Sequence, residues 1–243
     1  MIFQCDFHIH SVLSPCADVW MTPANIVNMA RLQGLEVIAV TDHQSSGNCA
    51  ATMTTARRLG GPLVIPGLEA ESSEEVHLIC LFPDLDAAQE MTGLIRLHLP
   101  PIANRPDIFG DQIYYDSDDR PRGTEELLLM QACGLSIDEI ADRTVALGGV
   151  CLPAHIDRSS HSLLAVLGSI PPRFKGTTME ISARTDPESF LSAHPELAGC
   201  RLIRNSDAHN LADLATSGWP HDVQLSGSRL TARDVIRSLG ELL

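Results

Sequence analysis

Short apolar runs that end in histidine or carboxylate recur along this 243-residue chain, and they constrain its fold more than any other feature. A first run closes in Asp6-Phe7-His8-Ile9-His10, and Val37-Ile38-Ala39-Val40 leads into Thr41-Asp42-His43. Leu63–Pro66 leads into Gly67-Leu68-Glu69, and His77 lies inside Val76-His77-Leu78-Ile79-Cys80. Val150-Cys151-Leu152-Pro153-Ala154 precedes His155, and Leu202-Ile203-Arg204-Asn205-Ser206 precedes Asp207 and His209. Runs this short, separated by helix-like segments, predict parallel strands joined by crossover helices. In a parallel barrel the C-terminal strand ends share one rim, so these six ends would deliver imidazole and carboxylate groups to one place.

Within the first run, the strand period of two puts His8 and His10 on one face and turns Phe7 and Ile9 to the other. That geometry suits a metal ion, although two polar residues at a strand end are the ordinary explanation of an isolated His-X-His. His77 is more pointed, because an unpaired imidazole among apolar neighbours is costly. A helix cap would account for Asp42 alone, and a solvated loop position for Glu69 alone. Six such ends together do not often arise by chance. His98, His161, His194 and His221 lack this placement and are assigned no role beyond surface or local hydrogen bonding.

Ile2 to His10, Leu35–Thr41, Leu63–Pro66, Val76–Phe82, Val150–Ala154, Thr178–Ser182 and Arg201–Asn205 read as strands. Thr22 caps a helix with Pro23 at its first position, an Ile26, Val27 and Ala30 stripe, and Gly34 as its stop. Further helices are expected from about Asn48 to Leu59, from Asp84 to Leu97, from a Ser136/Glu139 capping box to about Leu147, and from a Thr231 cap onward. The stretch from Pro100 to Arg122 carries Pro100, Pro101, Pro106 and Pro121 with little periodicity. It reads as part of an irregular excursion over about 98–131 from a single domain spanning 1–243. The excursion, flanked by Arg105 and Arg122, is a candidate lid or dimerisation arm, so homo-oligomerisation stays open. Its Tyr114-Tyr115 pair either packs within it or stacks on a base.

A hydrophobic fraction of 44% is enough for a sizeable core, and disorder is not the default reading. Thirty-one acidic against seventeen basic residues give −14, which argues against bulk nucleic-acid or anionic-membrane binding and leaves a small phosphorylated substrate. Seven cysteines, an odd number without a CxxC pair, indicate neither a disulfide framework nor a zinc ribbon. With no apolar run near about 18 residues and no leader-like start, the expectation is a cytoplasmic protein that makes no membrane contact.

The order HxH, TDH, GLE, a strand histidine, PAH and SDAH resembles the PHP family, named for polymerase and histidinol phosphatase, over nearly the whole chain. It is most similar to stand-alone bacterial members that begin with a stretch like His8 to Cys16. The resemblance implies an α/β fold, a distorted (β/α)7 TIM-like barrel, and up to three divalent metal ions (Zn, Mn or Fe). His8 and His10 would bind the first metal with Glu69 and Asp207; Glu69 would bridge to a second held by His77 and His155; His43 and His209 would hold the third. The family supplies one more ligand shortly after HxH, where this chain reads Ser14-Pro15-Cys16-Ala17-Asp18. Asp18 is the first choice as a hard carboxylate, while Cys16 would bias the site towards a softer metal.

The activity this implies is hydrolysis of a small phosphate ester, a nucleotide or similar monoester or diester, by a metal-activated hydroxide. Asp207 or His209 would relay a proton. Arg158 and Arg184, which follow predicted strands, would contact the phosphate, although a surface pairing with a carboxylate explains each equally well. The alternatives are a nuclease acting on nucleic-acid ends, which needs a basic track, and a non-catalytic metal-binding regulatory module, which intact ligand positions oppose.

Overall fold

In chain order, β1 (Ile2–Ile9) is followed by α1 (Pro23–Leu32), β2 (Val37–Val40), α2 (Cys49–Leu59), β3 (Leu63–Glu71), β4 (His77–Leu81) and α3 (Leu85–His98). The excursion then holds α4 (Pro106–Phe109), β5 (Ile113–Tyr115) and β6 (Pro121–Thr124). After it come α5 (Ile137–Ala146), β7 (Val150–Pro153), α6 (Leu163–Leu167), β8 (Thr178–Ser182), α7 (Pro187–Ala193), β9 (Arg201–Asn205), α8 (Leu211–Ala215), β10 (Asp222–Gln224) and α9 (Ala232–Gly240). This computed structural model describes residues 2–215, 222–224 and 230–240; His221 lies outside them. The helix starts are those the caps predict. Thr22 accepts from Asn25 N ahead of Pro23, Asp84 accepts from Ala87 N, and Ser136 with Glu139 forms the complete capping box.

Six strands form one curled sheet in the order β10-β1-β2-β3-β4-β7, and β8 with β9 forms a separate parallel pair. The first three strands are parallel, as the alternation with α1 and α2 requires. The expectation of an all-parallel set is corrected at β4, which is antiparallel to both β3 and β7. Only residues 72–76 separate β3 from β4, whereas a parallel return needs a dozen or more residues for its crossover. The reversal brings His77, at the start of β4, level with Glu71 at the end of β3. β3 is also longer than predicted, so Glu69 is a strand residue rather than a loop residue.

Alternation along the strands sorts the core onto two faces. Val37 and Ala39 of β2, Ile65 of β3, Ile79 and Leu81 of β4 and Leu152 of β7 form one cluster with Cys5 and Phe7, completed by Val235, Ile236 and Leu239 of α9. Ile38, Val40 and Val64 face the other way, against Ile26, Val27 and Ala30 of α1 and Cys49 and Ala56 of α2. Phe7 and Ile9 do not share a face as a plain period of two predicts: Phe7 belongs to the first cluster and Ile9 to the second. The β1–β2 register shifts between Asp6 and Ile9, and such a bulge re-aims the side chains beyond it. Phe7 and the two following imidazoles can therefore all point inward.

On either side of the β8–β9 pair the sheet has no ladder, and other contacts span the gap. Ile156 N donates to Glu180 O at 2.8 Å, and His10 N donates to Ala208 O at 2.9 Å. Phe7 N donates to the Asn205 side-chain oxygen at 2.9 Å.

The excursion is less irregular than predicted and is pinned to the starts of α1 and α2 and to the loop after β2. Buried Asn48 donates to Ile113 O and accepts from Tyr115 N, Asp119 accepts from Thr22 and Ala24 N, and Gln44 donates to Gln131 O. Tyr114 packs against the core, donates to Glu125 at 2.7 Å and lies so close to Gly47 that a Cβ there would collide with its ring. Arg105 and Arg122 pair locally with Asp107 and Asp116. No helix among the described residues is long and apolar enough to cross a membrane.

Candidate metal centre

The folded chain brings His8, His10, His43, Glu69, His77, His155, Asp207 and His209 together. Glu69, 1% exposed, sits at the middle. Its Oε1 lies 3.2 Å from His8 Nε2, 2.9 Å from His77 Nδ1 and 3.3 Å from His155 Nε2, and its Oε2 lies 2.9 Å from His43 Nδ1. His8 Nε2, His10 Nε2 and Asp207 Oδ1 form a second knot with separations of 3.1, 3.1 and 3.2 Å. His10 also converges with His43 and His209, its ring centre 4.6 and 4.2 Å from theirs.

Two observations test whether this donor set fits metal ions. The His8, His10 and Asp207 atoms are spaced as ligands of one cation would be, since bonds of about 2.0–2.2 Å put neighbouring ligand atoms roughly 3 Å apart. Both Glu69 oxygens and both His155 ring nitrogens are buried without a hydrogen-bond partner, despite several imidazoles within reach. Orphaned buried polar atoms are expensive unless something satisfies them. The residues fit.

The backbone supports this arrangement at a cost. His155 and Asp207 have φ of 29° and 49°, the left-handed region that non-glycine residues avoid and that tends to cluster at functional sites. Electrostatics within the cluster are strongly coupled. Burial penalises the Glu69 carboxylate, but His77, His8 and His43 outweigh it and hold its pKa well below the usual range. Burial likewise opposes ionised Asp207, which His8 and His10 nevertheless hold well below its ordinary value. Burial, followed by the neighbouring His209, pushes His10 well down. Against burial, Glu69 raises His77 to about 9 and lifts His43 well above its ordinary value.

A surrounding layer of carboxylates and hydroxyls escaped the sequence reading. Glu180 of β8 faces His8 Nδ1, with both oxygens at 3.0 Å. Glu71 lies 3.7 Å from His77 Nε2 and 3.4 Å from His161 Nδ1, and His161 stacks on His77 at 4.8 Å. His161 is an exposed residue, yet it stands beside His77, a contact that strand-end placement does not anticipate. His10 Nδ1 meets Ser14 Oγ at 3.0 Å, and Ser14 and Ser11 both donate to Asp42. The available signal for Glu180 and Glu71 was the one used for His77, an ionisable residue on the inward phase of a buried strand.

Asp18 is not brought to the cluster. It is exposed, and its carboxylate accepts from Trp20 N in a local turn. Cys16, itself exposed, stands at the cluster's edge beside His209 and His43. Burial raises its thiol, but hydrogen bonds with His209 and His43 outweigh that and lower it to about 7. Arg158, 46% exposed, sets Nη2 2.5 Å from Asp207 Oδ2, so it stands at the edge of the cluster already paired. Arg184 is exposed beyond β8 and makes no ion pair with a described residue. His98 bonds to Leu94 O and His194 to Glu196, both outside the cluster.

No family model matches the sequence, and no curated protein matches it. Solved structures do resemble the fold. The lesion-specific endonuclease PfuEndoQ from Pyrococcus furiosus matches 99% of this chain at 20% identity and a TM-score of 0.59. The chain spans only 57% of that endonuclease. A candidate metal-dependent phosphoesterase from Bifidobacterium adolescentis matches 97% of this chain and 94% of its own at 17% identity and a TM-score of 0.53. An amidohydrolase from Chromobacterium violaceum, solved with bound sulfate and no metal, matches 98% of both chains at 16% identity and a TM-score of 0.57. At these identities the likeness shows a shared fold, a mixed α/β architecture of the TIM-like barrel type whose sheet is not closed here.

Proposed function

We propose that this chain is a metal-dependent phosphoesterase of the PHP kind, acting on a small phosphate ester. Glu69 carries the reading: a buried carboxylate with both oxygens unsatisfied and four imidazoles turned towards it. His8, His10 and Asp207 would hold one ion with Glu69; Glu69, His77 and His155 a second; His43, His209 and the Cys16 thiol, in place of Asp18, a third. Clustered divalent ions supply ionised water near neutral pH and neutralise phosphate oxygens.

The chain's own groups do the rest. Asp207 turns Oδ1 to the imidazoles and Oδ2 to Arg158, and would accept the proton of the attacking water and release it to bulk water at the open edge of the cluster, while His209 Nδ1, which donates to Asp207 O, helps to hold it in place. Arg158 spends one contact on Asp207 and keeps other guanidinium donors for a phosphate oxygen. Arg184 is a second cation for the same role.

The likeness to an endonuclease motivates one competing reading, a nuclease acting on nucleic-acid ends. The net charge of −14 offers no general grip on a polyanion, so the small ester is preferred. Metal analysis of His155→Ala tests the ligand set. The variant should lose one ion per chain and most of its hydrolytic activity; unchanged metal content would remove His155 from the centre.

A further inference from the structure

Glu180 lies in the middle of β8, on the phase opposite Met179 and Ile181, which pack into the core. It is 1% exposed. Its two oxygens approach His8 Nδ1 at 3.0 Å, Oε1 accepts from His155 N at 3.0 Å, and Oε2 accepts from Asn205 Nδ2 at 2.7 Å. One carboxylate thus reaches His8 of β1 and His155 just beyond β7, across the gaps where the sheet has no ladder, and also Asn205 at the end of its partner strand β9.

A carboxylate whose two oxygens both stand 3.0 Å from His8 Nδ1 is satisfied by a proton on that nitrogen, so the geometry favours the Nδ1–H tautomer of His8. The other nitrogen, Nε2, faces Glu69 Oε1 and Asp207 Oδ1 at 3.2 Å and His10 Nε2 at 3.1 Å. With a proton fixed on Nδ1, the Nε2 lone pair is the one available to a cation. The same carboxylate also binds the backbone N–H of His155, whose φ of 29° needs an external hold.

We infer that Glu180 is a positioning residue: it fixes the His8 tautomer and ring plane, so that Nε2 is presented to the ion shared with His10 and Asp207, and it anchors His155 in its strained conformation. This rests on the metal-centre reading above. A carboxylate behind a metal-binding imidazole orients the ring and raises its basicity, and its loss weakens metal affinity by about 10- to 100-fold. Glu180 does not touch the reacting atoms.

The test compares Glu180→Gln with Asn205→Ala, which removes the bond to Phe7 N across the β9–β1 gap and one bond to Glu180 Oε2, while Glu180 keeps its partners His8 Nδ1 and His155 N. Zn2+ affinity is measured by chelator competition, and the His8 tautomer by 15N NMR of the Zn2+-loaded protein. Glu180→Gln should weaken one ion by about 10- to 100-fold, with Asn205→Ala near wild type and His8 protonated on Nδ1 in the wild-type protein. Equal weakening in both variants, or no weakening in Glu180→Gln, reduces Glu180 to a strand tie and overturns the inference. If Glu180→Gln does not fold, the wild-type spectrum decides alone: a proton on His8 Nε2 overturns the inference. A wild-type protein that binds no Zn2+ at all sinks the metal-centre reading itself, which is a separate result.

Discussion

Cys16 shows how a single residue escapes sequence reading. The local text Ser14-Pro15-Cys16-Ala17-Asp18 offers a thiol and a carboxylate two residues apart, and carboxylate chemistry favours Asp18. The turn decides otherwise, because Asp18 caps Trp20 N while Cys16 meets His43 and His209. With its thiol lowered to about 7 by His209 and His43, Cys16 ionises more readily than a free cysteine. Burial pushes Cys49 up to about 12 and Cys133 up to about 11. Alkylation of the metal-free protein with iodoacetamide at neutral pH is therefore expected to modify Cys16 first, and Zn2+ loading to slow that reaction several-fold. Equal labelling with and without metal would leave Cys16 outside the centre. The histidines themselves were legible, since each needed only a strand end or a buried strand phase. Glu180, Glu71 and His161 were passed over, because they touch the cluster through another residue, and for Glu180 and His161 that residue lies far away in sequence.

The elements were legible where local chemistry fixes them, as at the Thr22, Asp84 and Ser136 helix starts and the apolar core of β2. They were misread where pairing decides. The short β3–β4 connection forces an antiparallel return, and the β1 bulge separates Phe7 from Ile9; neither follows from counting apolar positions. Proline content made the excursion look irregular, yet buried Gln112 ties it together, donating to Glu125 O and Leu127 O and accepting from Leu129 N. Gln112→Ala would leave these buried backbone groups unsatisfied and is expected to cost about 1–3 kcal/mol, read as a lower denaturant midpoint with faster proteolysis within 98–131. An unchanged midpoint would mean that the excursion is held by its outer contacts alone.

Across the whole molecule the cluster makes stability depend on pH and on metal. In the metal-free protein His8, His43 and His77 have raised pKa values, His77 to about 9. Groups of that kind contribute stability that is complete below the unfolded value near 6.5 and is lost as pH rises through the folded one. Glu69 and Asp207 are depressed, so their contribution is present above about pH 4 and is lost only as pH falls through their folded values. His10, depressed by burial, works against stability below about 6.5. Melting of the metal-free protein should therefore peak between about pH 4.5 and 6.5 and fall towards pH 9. Metal-loaded protein, whose imidazoles bind in the neutral form, should not show that alkaline loss. A flat metal-free profile from about pH 6.5 to 9 would contradict the ion pairing around Glu69. The most direct test of the central claim is hydrolysis by Zn2+- or Mn2+-loaded protein of phosphomonoesters, cyclic phosphodiesters and short oligonucleotides, beside chelated protein and with metal analysis of both. The account predicts bound divalent metal and turnover of at least one small phosphate ester that chelation abolishes. Turnover of oligonucleotides alone would move the substrate to nucleic-acid ends, and bound metal without turnover of any class would contradict the assignment as a phosphoesterase.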